Sequence, residues 1–151
     1  GPLLGPLGTA GLVLAMVILG LSATSAAVLP IVRAGDVTVT ASYTGKGVVD
    51  PTHEILVFLF DHPMPTESSE PLRMDVITKN GGSVTFKNVP TDPAYVILVY
   101  DEASNYDGQN GPPPVGAPIA VYSKDGKAVP VKPGPDAKVT VTFDGSRRWG
   151  K

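Results

Sequence analysis

The sequence predicts a mainly β protein: an antiparallel β-sandwich of the transthyretin/immunoglobulin type, residues 33–151, behind one N-terminal transmembrane helix, residues 1–32. Three observations carry this. No charged side chain occurs between Gly1 and Val32. From Gly35 onward, several short segments alternate apolar and polar residues with period two, the signature of half-buried strands. The 17 glycines and 16 prolines punctuate those segments and favour turns over long helices.

The uncharged leader is the first element of the chain. Its most apolar part is Leu12-Val13-Leu14-Ala15-Met16-Val17-Ile18-Leu19. Pro2 and Pro6 suit the first turn of a helix and Pro30 its exit. A helix from Leu7 to Leu29 extends roughly 34 Å at about 1.5 Å per residue, enough to cross a hydrocarbon core about 30 Å thick. The competing reading is a cleaved signal peptide with an apolar stretch from Leu12 to Leu21 and a cleavage site at Ser25-Ala26-Ala27. The uncharged stretch is longer than such peptides use, and no basic segment precedes it. Gly8, Gly11, Ala15, Ser22 and Ala26 fall within an arc of about 60° on a helix. Small residues on one face let another membrane helix approach closely. Orientation is unreadable from charge, because no Lys or Arg precedes Arg33.

The strands follow in order. Val37, Val39, Ala41 and Tyr43 alternate with Thr38, Thr40 and Ser42; Val84 and Phe86 with Ser83 and Thr85; Val139, Val141 and Phe143 with Thr140 and Thr142. Leu72 to Thr78 reads as a further strand, joined to Val84–Phe86 through Asn80-Gly81-Gly82, a hairpin signal. Ile55 to Phe60 and Tyr95 to Tyr100 are continuous apolar runs, expected for central strands with two dry faces. In a two-layer sandwich one of those faces needs a cover, either the long loop from Asp101 to Gly116 or a partner. Pro118 to Tyr122 and Ala128 to Val131 flank the turn Ser123-Lys124-Asp125-Gly126-Lys127. The total is about seven or eight short strands, the count of a sandwich.

The run Gly82-Ser83-Val84-Thr85-Phe86-Lys87-Asn88-Val89-Pro90, followed by Ala94 to Asp101, resembles the prealbumin-like sandwich of carboxypeptidase regulatory domains. The continuation through Asp101-Glu102, a polar loop and a late Thr-Val-Thr-Phe strand resembles a bacterial family of secreted domains with that fold. The resemblance spans roughly Ser83 to Phe143 and departs at Thr91-Asp92-Pro93, where the family has Pro-Gly. It implies a non-catalytic accessory or adhesive module. Fold alone assigns no chemistry.

The residues offer little chemistry of their own. There is no cysteine, so disulfides and thiolate metal sites are excluded. Twelve basic and 14 acidic residues give a net charge of -2, without the basic footprint of a nucleic-acid binder. His53 and His62 lack metal-ligand spacing, and His62 reads as a strand-end loop residue. Asp101, Asn105 and Asp107 are a weak calcium candidate, offering oxygen ligands before Gly108. Turn chemistry explains the same residues. No serine sits in a nucleophile motif, no cofactor motif occurs, and an enzyme is not expected.

Two segments read as contact surfaces. Pro112, Pro113 and Pro114 form a stiff, extended stretch that loses little entropy on binding. Arg147, Arg148 and Trp149 combine cations with the sole tryptophan, suited to acidic partners or membrane interfaces. The expectation is a single-pass accessory subunit, its β domain periplasmic or at the cell surface, that braces other transmembrane subunits of a larger complex. A photosynthetic or respiratory electron-transfer assembly is one such setting. The alternatives are a pilin-like filament subunit and a secreted ligand- or calcium-binding domain.

Overall fold

The computed structural model describes residues 35–63 and 65–151. The candidate anchor helix, with Gly8, Gly11, Ala15, Ser22 and Ala26, lies outside the described residues, among which no helix is long and apolar enough to cross a membrane. The strands are β1 (Val37–Tyr43), β2 (Ile55–Phe60), β3 (Arg73–Ile77), β4 (Ser83–Phe86), β5 (Tyr95–Tyr100), β6 (Ile119–Val121), β7 (Ser123–Lys124), β8 (Lys127–Ala128) and β9 (Lys138–Phe143). They form a three-stranded sheet in the order β4-β1-β9, a four-stranded sheet in the order β3-β2-β5-β6, and the small β7-β8 ribbon.

The alternating strands behave as period two requires. On β1, Val37, Val39, Ala41 and Tyr43 are buried while Thr38, Thr40 and Ser42 are half-exposed; β9 repeats the pattern with Val139, Val141 and Phe143. These side chains share one core with Ile55, Val57 and Leu59 of β2 and Val96, Leu98 and Tyr100 of β5. The two sheets therefore face each other across a common apolar layer. Tyr43 and Tyr100 stack at one end with ring centroids 4.2 Å apart, and Phe143 meets Tyr43 edge-on at 5.1 Å. The Tyr100 hydroxyl donates to the Val48 carbonyl at 2.6 Å, so its buried polar tip is satisfied.

Two expectations need correction. The sheets are not wholly antiparallel: β1 and β9 pair in parallel, with Val39 opposite Val139 and Ala41 opposite Val141. These strands lie far apart in sequence, so no tight turn forces an antiparallel partner. The second correction concerns Asn80-Gly81-Gly82. It does not close a hairpin, because β3 pairs with β2 in one sheet and β4 with β1 in the other. The turn is a corner between sheets, held by the Asn80 side chain. Its Oδ1 accepts the Tyr43 N–H and its Nδ2 donates to the Tyr43 carbonyl, both at 2.7 Å. Gly81 N–H donates to the Ala41 carbonyl at 2.9 Å with φ +83°, the left-handed region that glycine enters without strain. A true hairpin follows later: Asp125 (φ 53°) and Gly126 (φ 77°) turn β7 into β8, as a two-residue type I′ turn demands.

Candidate functional site

Apart from half-buried Tyr95, the continuous apolar runs are buried throughout, for two different reasons. Alternate residues of β2 and β5 enter the shared core. The others, Leu56, Phe58, Phe60, Ile97 and Val99, form a second cluster on the outer face of the four-stranded sheet. The cover is the loop of residues 101–116. Tyr106 packs on the cluster, and a Cβ added to Gly108 would stand 2.9 Å from Leu56 Cδ2 and 3.2 Å from Phe58 Cζ. The loop is braced from within. Asp101, only 7% exposed, accepts the N–H groups of Asn105 at 2.8 Å and Tyr106 at 3.1 Å through Oδ1. The Tyr106 hydroxyl donates to the Gly111 carbonyl at 2.9 Å, and burial, followed by the nearby Asp107 charge, raises its pKa.

The cover is incomplete. Between this loop and the loop of residues 61–71 runs a groove with a cavity volume of about 510 Å³. Phe58, Phe60, Ile97, Val99, Ile119 and Val121 make its floor. Pro63, Pro65, Pro112 and Pro113 stiffen its walls, and Tyr106 and Trp149 add rings. Glu67 and Glu70 stand on one lip, with Arg147 also lining the groove. A concave apolar floor with few polar groups at its margin is the usual form of a binding site.

The structure brings two separated sequence candidates into this groove. Pro112 and Pro113 reach it from the long loop, and Arg147 and Trp149 from the chain end. Pro114 lines a smaller cleft beside Asp101 and Val115. The chain end is held by backbone pairing: Gly116 N–H donates to the Trp149 carbonyl at 2.8 Å, Trp149 N–H to Ala117 at 2.9 Å, and Ile119 N–H to Arg147 at 3.0 Å. Arg148 is turned inward to the protein. It donates to the carbonyls of Gly145 and Gly116 at 2.9 Å each and pairs with Glu102 at 3.0 Å, which raises its pKa further. The residues that sequence reasoning missed lie on the 61–71 loop. Its density of Pro, Ser and Glu directly after an apolar strand was the available signal.

At the calcium candidate, Asp101 caps its own loop and Asp107 Oδ1 accepts the Gln109 N–H at 2.9 Å. No cluster of three His, Cys, Asp or Glu side chains able to hold a metal forms among the described residues. His53 Nδ1 lies 2.9 Å from Asp50 Oδ1 inside a tight turn, and that hydrogen bond, then Thr52, lowers the Asp50 carboxyl to about 2.

His62 has a more suggestive setting. Its Nδ1 lies 2.6 Å from Asp61 Oδ1 and its Nε2 3.0 Å from the Ser69 hydroxyl, an Asp–His–Ser chain that the sequence did not announce. Hydrolytic catalysis also needs free donors for an oxyanion. Here the Ser69 N–H is bonded to the Thr66 carbonyl at 3.0 Å, and the Thr66 N–H to the Ser69 hydroxyl at 2.8 Å. The Asp61 side chain is 56% exposed. The arrangement ties the loop into a closed turn, with the His62 ring edge-on to Phe60 at 5.7 Å.

Comparison with protein-family models, curated proteins and solved structures returns no match to this chain.

Proposed function

We propose that this chain is a non-enzymatic accessory subunit, anchored in a membrane by its apolar leader, whose β domain braces a larger membrane complex by holding a partner protein in the outer-face groove. The finer architecture proposed with it is the transthyretin/immunoglobulin-like sandwich implied by the resemblance of Ser83 to Phe143. The groove is the observation that supports this reading. Its floor is apolar, its walls are fixed by internal bonds, and the side chains of Glu67, Glu70, Arg147 and Trp149 make no hydrogen bond or ion pair among the described residues. Polar groups left without internal partners around an apolar slot are available to a ligand without the loss of an internal bond, although their water must still be displaced. We read the Asp61-His62-Ser69 chain as a loop clamp, in keeping with the proposed non-enzymatic role.

Purification of the native material in mild detergent tests this. Other membrane subunits should travel with the chain at fixed stoichiometry. Arg147→Ala with Trp149→Ala should reduce their recovery without unfolding the domain. For the leader, Ala15→Leu with Ser22→Leu should loosen the association further. A homopolymer with no other chain would overturn the proposal in favour of a filament. A soluble chain beginning near Ala27 or Val28 would overturn it in favour of secretion.

A further inference from the structure

We propose that the occupant of the groove is an extended, proline-rich segment of a partner protein carrying a basic residue; this rests on the partner-binding reading above and names the chemistry recognised. Four observations converge on it.

The first is backbone accounting. Along the sheet margin beside the groove, the Gly116 N–H and the Ile119 N–H donate to the Trp149 and Arg147 carbonyls, and the Ala117 carbonyl accepts the Trp149 N–H. An incoming strand finds these groups already taken, which favours recognition through side chains at this margin. The second is the floor. Phe58, Phe60, Ile97 and Val99 are 2–8% exposed, which makes the opening a narrow slot that takes single rings or side chains rather than the broad face of a helix. An ordinary extended peptide pressed onto that floor would bury N–H groups without partners, at about 1–3 kcal/mol each. Proline has no N–H to lose, and the polyproline II form keeps its remaining amides in water.

The third observation is the character of the walls. Aromatic rings flanking an apolar groove are how other domains hold polyproline II ligands, ring against pyrrolidine. Tyr106, Trp149 and the wall prolines supply such surfaces, and the Tyr106–Gly111 bond holds one wall in place before binding. The fourth is charge. Glu67 and Glu70 present two exposed carboxylates without ion-pair partners among the described residues, against the single guanidinium of Arg147. Lys or Arg beside the prolines would complement them.

The test uses the full chain in detergent micelles and its only tryptophan, Trp149, as reporter. The probe is a blocked peptide, Pro-Pro-Leu-Pro-Pro-Arg-Arg, with two controls: every proline changed to alanine, and both arginines changed to glutamine. Titration should give a saturable shift in Trp149 emission. The alanine control should bind roughly 10-fold more weakly, because its buried amides lack partners. Glu67→Gln with Glu70→Gln should weaken the parent peptide about 3- to 10-fold at low salt and flatten its salt dependence. The exposed position of both glutamates leaves folding intact. Equal affinity of the alanine control, absence of saturation, or indifference to the double substitution would each overturn the proposal. If the peptide fails while Arg147→Ala with Trp149→Ala still releases membrane partners, the peptide assignment falls and the bracing role stands. If the peptide binds and no partner is ever recovered, the peptide assignment stands and the bracing role falls.

Discussion

Gly108 decides how closely the long loop seals the outer apolar cluster, and replacing it separates packing from backbone strain. Gly108 has φ +77°, and an added Cβ would meet Leu56 Cδ2 at 2.9 Å, Phe58 Cζ at 3.2 Å and Met74 Cε at 3.4 Å. Gly111, in the same loop, has φ +82° and nothing within 4 Å of an added Cβ. Both Gly→Ala substitutions carry the left-handed penalty of about 1–2 kcal/mol. Only Gly108→Ala adds the cost of forcing a methyl group into packed side chains, about 1–3 kcal/mol. The expected loss is therefore about 1–2 kcal/mol for Gly111→Ala and about 2–5 kcal/mol for Gly108→Ala. The contacts are flexible side-chain ends, which places the packing part toward its lower bound. Urea unfolding followed by Trp149 emission measures both, and binding of a hydrophobic dye reports whether the loop lifts off the cluster. Equal losses in the two variants, or a lifted loop in Gly111→Ala alone, would refute the view that Gly108 seals this face.

Other expectations follow from the same geometry. Asn80→Ala removes two 2.7 Å bonds to Tyr43 and should cost about 2 kcal/mol in urea unfolding, at about 1 kcal/mol net per bond. Asn80→Asp at neutral pH should be no better, because a carboxylate faces the Tyr43 carbonyl; a loss below about 0.5 kcal/mol in both variants would show that the corner is held by other contacts. Asp50 has its carboxyl lowered to about 2 in the fold. Its contribution is complete above the unfolded value near 3.8 and disappears as pH falls toward 2, so Asp50→Asn should flatten the acid limb of a stability-versus-pH curve; an unchanged limb would count against it. Burial, then the Asp101 charge, raises the Glu54 pKa. Stability should therefore fall as pH rises through the Glu54 range, and Glu54→Gln should remove that fall; an identical pH profile would contradict it. A fluorophosphonate probe should leave Ser69 unlabelled while labelling a serine esterase run in parallel. Stoichiometric labelling of Ser69 would convert the loop clamp into a catalytic site.

Much of the β domain was legible because alternation is a local property. Val37 to Tyr43, Ser83 to Phe86 and Val139 to Phe143 were readable as half-buried strands, since each turns hydroxyls to one side and apolar side chains to the other. Ile55 to Phe60 and Tyr95 to Tyr100 were readable as central strands because neither has a polar side to give to water. Asn80-Gly81-Gly82 misled because the preference of such residues for left-handed backbone fixes a reversal and says nothing about the partner of the next strand. That partner was decided by Asn80 bonding to Tyr43, a contact 37 residues distant in sequence. The Asp61-His62-Ser69 chain was hidden for a related reason, since a bond between His62 and Ser69 depends on how the intervening loop closes.

The sequence by itself determined which residues of the β domain must leave water: those of the alternating strands and the two apolar runs. Hydrophobic burial is additive along the chain and can be read residue by residue. Only the tertiary structure decided how those surfaces were met. The parallel pairing of β1 with β9, the loop laid over Phe58 and Leu56, and the meeting of Pro112 with Trp149 in one groove all join segments far apart in the chain. Such meetings depend on packing geometry and loop closure, and no local pattern of residues encodes them.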